Sequence, residues 1–264
     1  MYDTLTALVL GLVEGVTEFL PISSTGHLIV IGDWLGFTGP VAKLFDVVIQ
    51  LGAILAVCWL YRAKLWHTAT TLNRDPLARR FAFNVLLAFL PAVVIGFAAH
   101  DYIKSVLFSS VVVGWAFIIG GIVILIVERF RPQATIDSTE AMPPWKALAI
   151  GFWQCLAMIP GTSRSGATIV GALLLGVTRG AATEFSFFLA IPTMAGATAL
   201  DLWRARHDVA LDGWPLIAIG FTVAFLSALL VVRRLVGFVS RHGFSVFAWY
   251  RILAGIAILA LVAH

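Results

Sequence analysis

The chain has 264 residues, 60% of them hydrophobic and only 12% charged, with a formal net charge of +4 and a pI near 9.4. Soluble domains carry roughly 25% charged residues, so the composition excludes an ordinary soluble enzyme and describes an integral membrane protein. The basic balance does not indicate nucleic acid, because Lys and Arg fall in short stretches between apolar runs, where they set membrane orientation.

The first twenty residues lack a basic n-region and carry Asp3, Glu14 and Glu18, so a cleavable leader is not expected. A helix crosses the hydrocarbon with about 20 apolar residues. Residues 5–37 are apolar but broken at Pro21-Ile22-Ser23-Ser24-Thr25-Gly26. Unbroken runs follow at 44–61, 81–99 and 106–128, with 62–80 between the first two expected as a loop. Residues 146–177 are broken at Pro160-Gly161-Thr162-Ser163-Arg164-Ser165-Gly166, and unbroken runs return at 184–203, 214–232 and 244–263. The arms of each broken segment are too short to cross, so each is expected to be a re-entrant helical hairpin. Non-helical backbone at that depth survives only when buried in protein or lining a wet cavity.

The two broken segments are copies. Gly11, Ser23, Gly26, Ile29, Val30, Leu35, Gly36, Thr38 and Phe45 return without a gap as Gly151, Ser163, Gly166, Ile169, Val170, Leu175, Gly176, Thr178 and Phe185. The expected fold is an all-α polytopic membrane protein forming a single integral-membrane domain over 1–264. Repeat 1 covers about 1–130 and repeat 2 about 146–264, each a hairpin plus three spans. Three spans is an odd number, so the halves are inverted relative to one another, with six spans and two re-entrant hairpins in all.

Charge sets the orientation. Arg62, Lys64, Arg74, Arg79, Arg80, Arg129, Arg131, Lys146, Arg179, Arg233, Arg234 and Arg241 fall on one side, against Lys43, Lys104, Arg204 and Arg206 on the other. The richer side is cytoplasmic. In a bacterial plasma membrane, the first hairpin then opens to the periplasm or exterior.

The ionisable groups inside apolar sequence are candidates for chemistry. Glu14 and Glu18 share a helix face and can bind a divalent cation, share a proton or act as general base, unless they merely face water at a helix mouth. Ser23, Ser24 and Thr25 can cap the returning helix, whose N-terminus suits an anion, and His27 stands in its first turn. His67, His100, His207, His242 and His264 fall in loops or at the terminus. At the second break, Gly161 lets backbone approach a ligand, while Ser163, Ser165, Thr168 and the forked Arg164 suit phosphate oxygens. Secondary candidates are Asp46, Gln50, Gln154 and Arg251, the last either touching substrate or pairing with a buried carboxylate. Cys58 and Cys155 are read as core residues. One break brings acid and imidazole and the other a cation, a division that suits phosphoryl chemistry.

Glu14-Gly-Val-Thr-Glu18-Phe-Leu-Pro-Ile-Ser-Ser24-Thr-Gly-His27 resembles the first signature of the undecaprenyl-pyrophosphate phosphatases, also called bacitracin-resistance proteins. Pro160-Gly-Thr-Ser-Arg164-Ser-Gly-Ala-Thr168 resembles their second, and the stretches from Phe45 to Gly52 and from Tyr250 to Gly255 are also similar. The resemblance implies an enzyme that removes the terminal phosphate of a C55 polyprenyl diphosphate, recycling the carrier lipid for the cell wall and conferring bacitracin resistance. It further implies a divalent cation, Mg²⁺ or Ca²⁺, and a homodimer. Carried over, Glu18 is the base or metal-organising carboxylate, supported by Glu14. Ser24 is the nucleophile or a phosphate ligand, and His27 is the rival nucleophile or the acid. Arg164 clamps the phosphates with Ser163, Ser165 and Thr168. The alternative is a polyprenyl-phosphate flippase on the same architecture, which needs the cationic site but no nucleophile–base set.

Overall fold

The computed structural model describes residues 4–106, 109–205 and 214–262. Asp3, Arg206, His207 and His264 lie outside the described residues, as do the side chains of Lys43, His100, Lys104 and Arg204. The elements are α1 (Thr4–Thr17), α2 (Ser24–Trp34), α3 (Pro40–Leu60), α4 (Arg62–Thr71), α5 (Pro76–Val106), α6 (Ser110–Phe130), α7 (Pro144–Cys155), α8 (Arg164–Leu174), α9 (Arg179–Ala205), α10 (Trp214–His242) and α11 (Ser245–Val262). One 3₁₀ turn, Leu156–Met158, follows α7. The protein is thus an all-helical polytopic membrane protein. Five helices are long and apolar enough to cross a bilayer, or six if the α3–α4 pair, bent by 72°, counts as one span.

Both interrupted segments are helix–break–helix units, as the sequence predicts. The stretch 62–80 is not the expected loop. Its first part is α4 and its last residues open α5, because nothing between Arg62 and Thr71 breaks a helix and Pro76 suits a first turn. His67 and His242 accordingly sit on helices, though both are exposed. Cys58 and Cys155 are free and half-buried.

Contacts between the helices run through small residues. α1 packs on α10 and α7 on α5. A Cβ added at Gly11 would stand 2.5 Å from the Gly220 carbonyl oxygen, and one added at Gly151 would stand 2.9 Å from the Ala88 Cα. In lipid, helices gain little from hydrophobic transfer and associate by such close backbone approach. Large apolar side chains including Val94, Leu226 and Leu253 remain on the outside, as suits faces turned to acyl chains. The connection from α6 to α7 is pinned against the end of α8, where Ile136 forms a bridge with Val177 and Thr178 N–H donates to the Ile136 carbonyl at 2.8 Å.

Candidate functional site

The two breaks are built alike. Ser23 and Ser163 are the only non-glycine residues with positive φ among those described, at 71° and 75°. That backbone costs on the order of 1–3 kcal/mol and persists where the surroundings enforce it, commonly at functional sites. Each serine caps the helix it precedes: Ser23 Oγ accepts from Gly26 N–H at 3.3 Å, and Ser163 Oγ from Gly166 N–H at 3.1 Å. A Cβ at Gly26 would collide with the Phe117 ring at 2.5 Å, so only glycine lets α2 settle against α6.

The tips meet around one guanidinium. Arg164 Nη2 donates to Glu18 Oε1 at 2.9 Å, and Nη1 donates to the Ser186 carbonyl at 2.8 Å. Ser24 Oγ donates to the other Glu18 oxygen, Oε2, in a short hydrogen bond. Glu18 is therefore held between a cation and a hydroxyl, and Ser24, Glu18 and Arg164 form one chain. The water-facing alternative for the acidic pair is excluded, since Glu14 is 1% and Glu18 7% exposed. Glu14 lies one turn before Glu18, and neither of its carboxylate oxygens has a partner among the described residues.

The chain opens on a cavity of about 500 Å³. Glu18, Ser23, Ser24, Thr25, Gly161, Ser163 and Arg164 supply its polar wall, joined by Gln50 and Gln154. Its apolar wall comes from α5 and α9, through Phe89, Val93, Phe97, Met194 and Leu200 among others. A concave site with convergent polar groups against an extended apolar surface suits a ligand with a charged head and a hydrocarbon tail.

Other residues singled out by sequence stand behind this wall. Ser165 Oγ donates to the Leu20 carbonyl at 2.8 Å, tying the second tip to the first. Thr168 Oγ1 is 2.8 Å from Ser186 Oγ and buttresses Arg164 from below. Asp46 is half-buried on α3 and does not line the cavity. His27 does not line it either. Its Nδ1 is 2.6 Å from the Ser23 carbonyl, which makes Nδ1 the donor, and Nε2 then accepts from the Tyr250 hydroxyl at 2.6 Å. Its ring stacks on Tyr250.

Arg251 meets neither substrate cavity nor carboxylate. Fully buried, it donates to five main-chain carbonyls: Pro21 at the first break, Gly161 and Thr162 at the second, and Ala116 and Phe117 on α6. It is a clamp joining both hairpin tips to α6.

Sequence reasoning missed Ser186, Thr193 and Met194. Ser186 stands 140 residues after Asp46, so the repeat offered a signal for it. Thr193 and Met194 carried none, being ordinary residues of an apolar run.

A model of the bacitracin resistance protein BacA family matches residues 7–257. The chain is 55% identical over 258 residues to undecaprenyl-diphosphatase 2 of Paramagnetospirillum magneticum, covering 98% of each chain. It is 55% identical over 261 residues to the undecaprenyl-diphosphatase of Cereibacter sphaeroides, covering 98% of this chain and 97% of that one. It is 56% identical over 256 residues to the undecaprenyl-diphosphatase of Nitrosospira multiformis, covering 97% and 93%. With a match nearly end to end and both hairpin signatures gathered at one buried site, the chain belongs to the bacitracin resistance protein family.

Proposed function

We propose that this site hydrolyses undecaprenyl diphosphate to undecaprenyl phosphate and inorganic phosphate, recycling the lipid carrier of cell-wall synthesis and conferring bacitracin resistance. The observation that carries the reading is the Ser24–Glu18–Arg164 chain facing a cavity whose other wall is apolar. A transporter needs the guanidinium but has no use for a serine hydroxyl hydrogen-bonded to a carboxylate beside it.

The terminal phosphate sits against Arg164, Ser163 and the N-terminus of α8, whose free N–H groups favour an anion. The prenyl chain lies along α5 and α9. Ser24 Oγ attacks the terminal phosphorus while its proton passes to Glu18. The bond from that phosphorus to the bridging oxygen breaks, and undecaprenyl phosphate leaves carrying the proton handed on by Glu18, which returns to its carboxylate form. Water, deprotonated by Glu18, then cleaves the phosphoserine and regenerates the enzyme. Arg164 spreads the charge of both transition states, the dominant contribution in phosphoryl transfer.

A divalent cation fits the residues present. Mg²⁺ and Ca²⁺ take hard oxygen ligands, and Mg²⁺ commonly uses one or two carboxylates plus substrate phosphates. Glu14 holds two buried oxygens without partners, beside Glu18. No group of three His, Cys, Asp or Glu forms a complete cage among the described residues, so phosphate oxygens would complete the shell. The ion would neutralise charge on the diphosphate.

The reading extends to topology: six spans and two re-entrant hairpins in an inverted repeat. The matching strained caps at Ser23 and Ser163 support it, as does the packing of each half's first hairpin helix on the other half's second span, α1 on α10 and α7 on α5. In the bacterial plasma membrane, the cationic excess then sits in the cytoplasm and the site faces outward.

The experiment is phosphate release from C15 or C55 prenyl diphosphate by purified protein, with Mg²⁺ or Ca²⁺ and with EDTA. Chelator-sensitive release that Arg164→Ala abolishes supports the reading. No release, with the lipid still bound, overturns it in favour of a carrier-lipid transporter.

A further inference from the structure

The two breaks are held alike but for one side chain. Ser23 and Ser163 take the same positive φ and cap the next helix in the same way. Two residues before each, the carbonyls of Pro21 and Gly161 both accept from Arg251. A main-chain N–H four residues on closes each turn: His27 N–H on the Ser23 carbonyl at 3.3 Å, and Ala167 N–H on the Ser163 carbonyl at 2.9 Å. His27 and Ala167 occupy the same position of the repeat, 140 residues apart. Alanine adds no further bond to its break, whereas His27 places Nδ1–H on the Ser23 carbonyl at 2.6 Å. The second break keeps its strained serine without an imidazole, so the conformation itself does not require one. The imidazole is an addition to the break that carries Ser24.

This imidazole is itself held from α11. The Tyr250 hydroxyl donates to Nε2 at 2.6 Å, and the two rings lie 11° from parallel with centroids 5.7 Å apart. The Phe117 ring stands 5.2 Å from the imidazole. A neutral imidazole carries one proton, on one nitrogen or the other. A hydroxyl donating to Nε2 favours the form with the proton on Nδ1, the form that the Ser23 carbonyl needs. Without that donor the ring is free to turn or to carry its proton on Nε2, and the bond to Ser23 lapses. The Ser23 carbonyl belongs to the peptide group that joins Ser23 to Ser24, so this bond fixes the plane from which the Ser24 side chain departs toward Glu18.

We propose that Tyr250 is a positioning residue for the reaction: its hydroxyl sets the tautomer and orientation of His27, and His27 sets the peptide plane that aims Ser24 Oγ. The inference rests on the hydrolase reading above. Neither Tyr250 nor His27 lines the cavity, so losing the hydroxyl misaims the nucleophile without removing a substrate contact. The loss is therefore read in turnover and not in affinity.

The test uses full-length protein in detergent with Tyr250→Phe, which keeps the ring and removes only the hydroxyl. Hydrolysis of C15 prenyl diphosphate is measured together with the Kd for a non-hydrolysable C15 methylenediphosphonate and the melting temperature. The ¹⁵N spectrum of histidine-labelled protein is recorded in parallel, with the His27 signals assigned by their loss in His27→Gln. Expected is a fall in kcat of about fivefold or more, the worth of one hydrogen bond, with KM and Kd within twofold of wild type and melting unchanged. The spectrum should show His27 protonated on Nδ1 in wild type and a displaced Nε2 signal in Tyr250→Phe. A kcat within twofold of wild type overturns the inference. So does a fall in kcat matched by a loss of affinity or of melting temperature, which would make Tyr250 a structural residue. Unchanged His27 signals in Tyr250→Phe overturn it as well, because the hydroxyl would then not govern the imidazole. If wild type itself releases no phosphate, the hydrolase reading fails instead, and the spectra still decide whether Tyr250 sets His27.

Discussion

Glu18 and Arg164 form an ion pair at 2.9 Å across 146 residues of sequence, one from each half of the repeat. Neither side chain is more than 11% exposed. Breaking a buried pair leaves an uncompensated charge, which costs about 3–5 kcal/mol, so the two residues bind the halves together in addition to the part proposed for them in the reaction. Arg164 also spends its other amino group on the Ser186 carbonyl. Lysine, a point charge without the fork, cannot make both contacts. Arg164→Lys is expected to lose about 100-fold or more in phosphate release, close to Arg164→Ala, and Glu18→Ala to do the same. Residual activity above a tenth of wild type in Glu18→Ala would remove this carboxylate from the mechanism.

His27 gives a sharper discrimination. Both its nitrogens are engaged, one on the strained Ser23 and one on Tyr250, and it is absent from the cavity wall. In the proposed mechanism it holds the backbone next to Ser24 in place. His27→Ala is expected to abolish hydrolysis, while His27→Gln, whose amide can donate to the Ser23 carbonyl, should retain at least several-fold more. A histidine nucleophile would make the two equally inactive. Trapping the phosphoenzyme by mass spectrometry should place the added phosphate on Ser24.

Much of this is legible in the sequence. The interrupted segments could be read because a cluster of Pro, Gly and Ser disfavours a continuous helix, and the repeat located both. Glu18, Ser24 and Arg164 stood out because charged or hydroxylic groups in apolar sequence are costly. What sequence could not supply was direction. Arg251 satisfies itself on main-chain carbonyls, and a carbonyl has no letter in a sequence. Ser165 and Thr168 lie in the signature yet face inward, as the turn of α8 dictates. Helix α4 was hidden because its polar composition resembles a loop.

The Arg251 clamp predicts a stability phenotype distinct from a catalytic one. Hydrogen bonds to a charged group contribute about 1.5–3 kcal/mol each, and leucine at this position removes five at once. Arg251→Leu is expected to lower thermal stability by more than about 3 kcal/mol, with Arg251→Lys in between because an ammonium has three donors. Melting curves in detergent check this. A variant that melts like wild type would mean the tips are held by other contacts.

Away from the cavity, Lys64 joins three elements. Its ammonium is 2.6 Å from Glu140 and 2.8 Å from Thr139 on the α6–α7 connection, and it lies over the rings of Phe81 and Phe188. Burial alone would raise the Glu140 carboxyl, but the hydrogen bonds from Lys64, its own backbone and Thr139, with the Lys64 charge, hold it below the ordinary value. A depressed folded-state pKa contributes stability above the unfolded value, near 4.5, and loses it as pH falls through the folded value. The melting difference between wild type and Glu140→Gln should therefore be constant near neutrality and vanish at acid pH. The pair is partly exposed, so the difference is small and shrinks in high salt. A difference that persists below the folded value would assign the effect of Glu140→Gln to packing rather than charge.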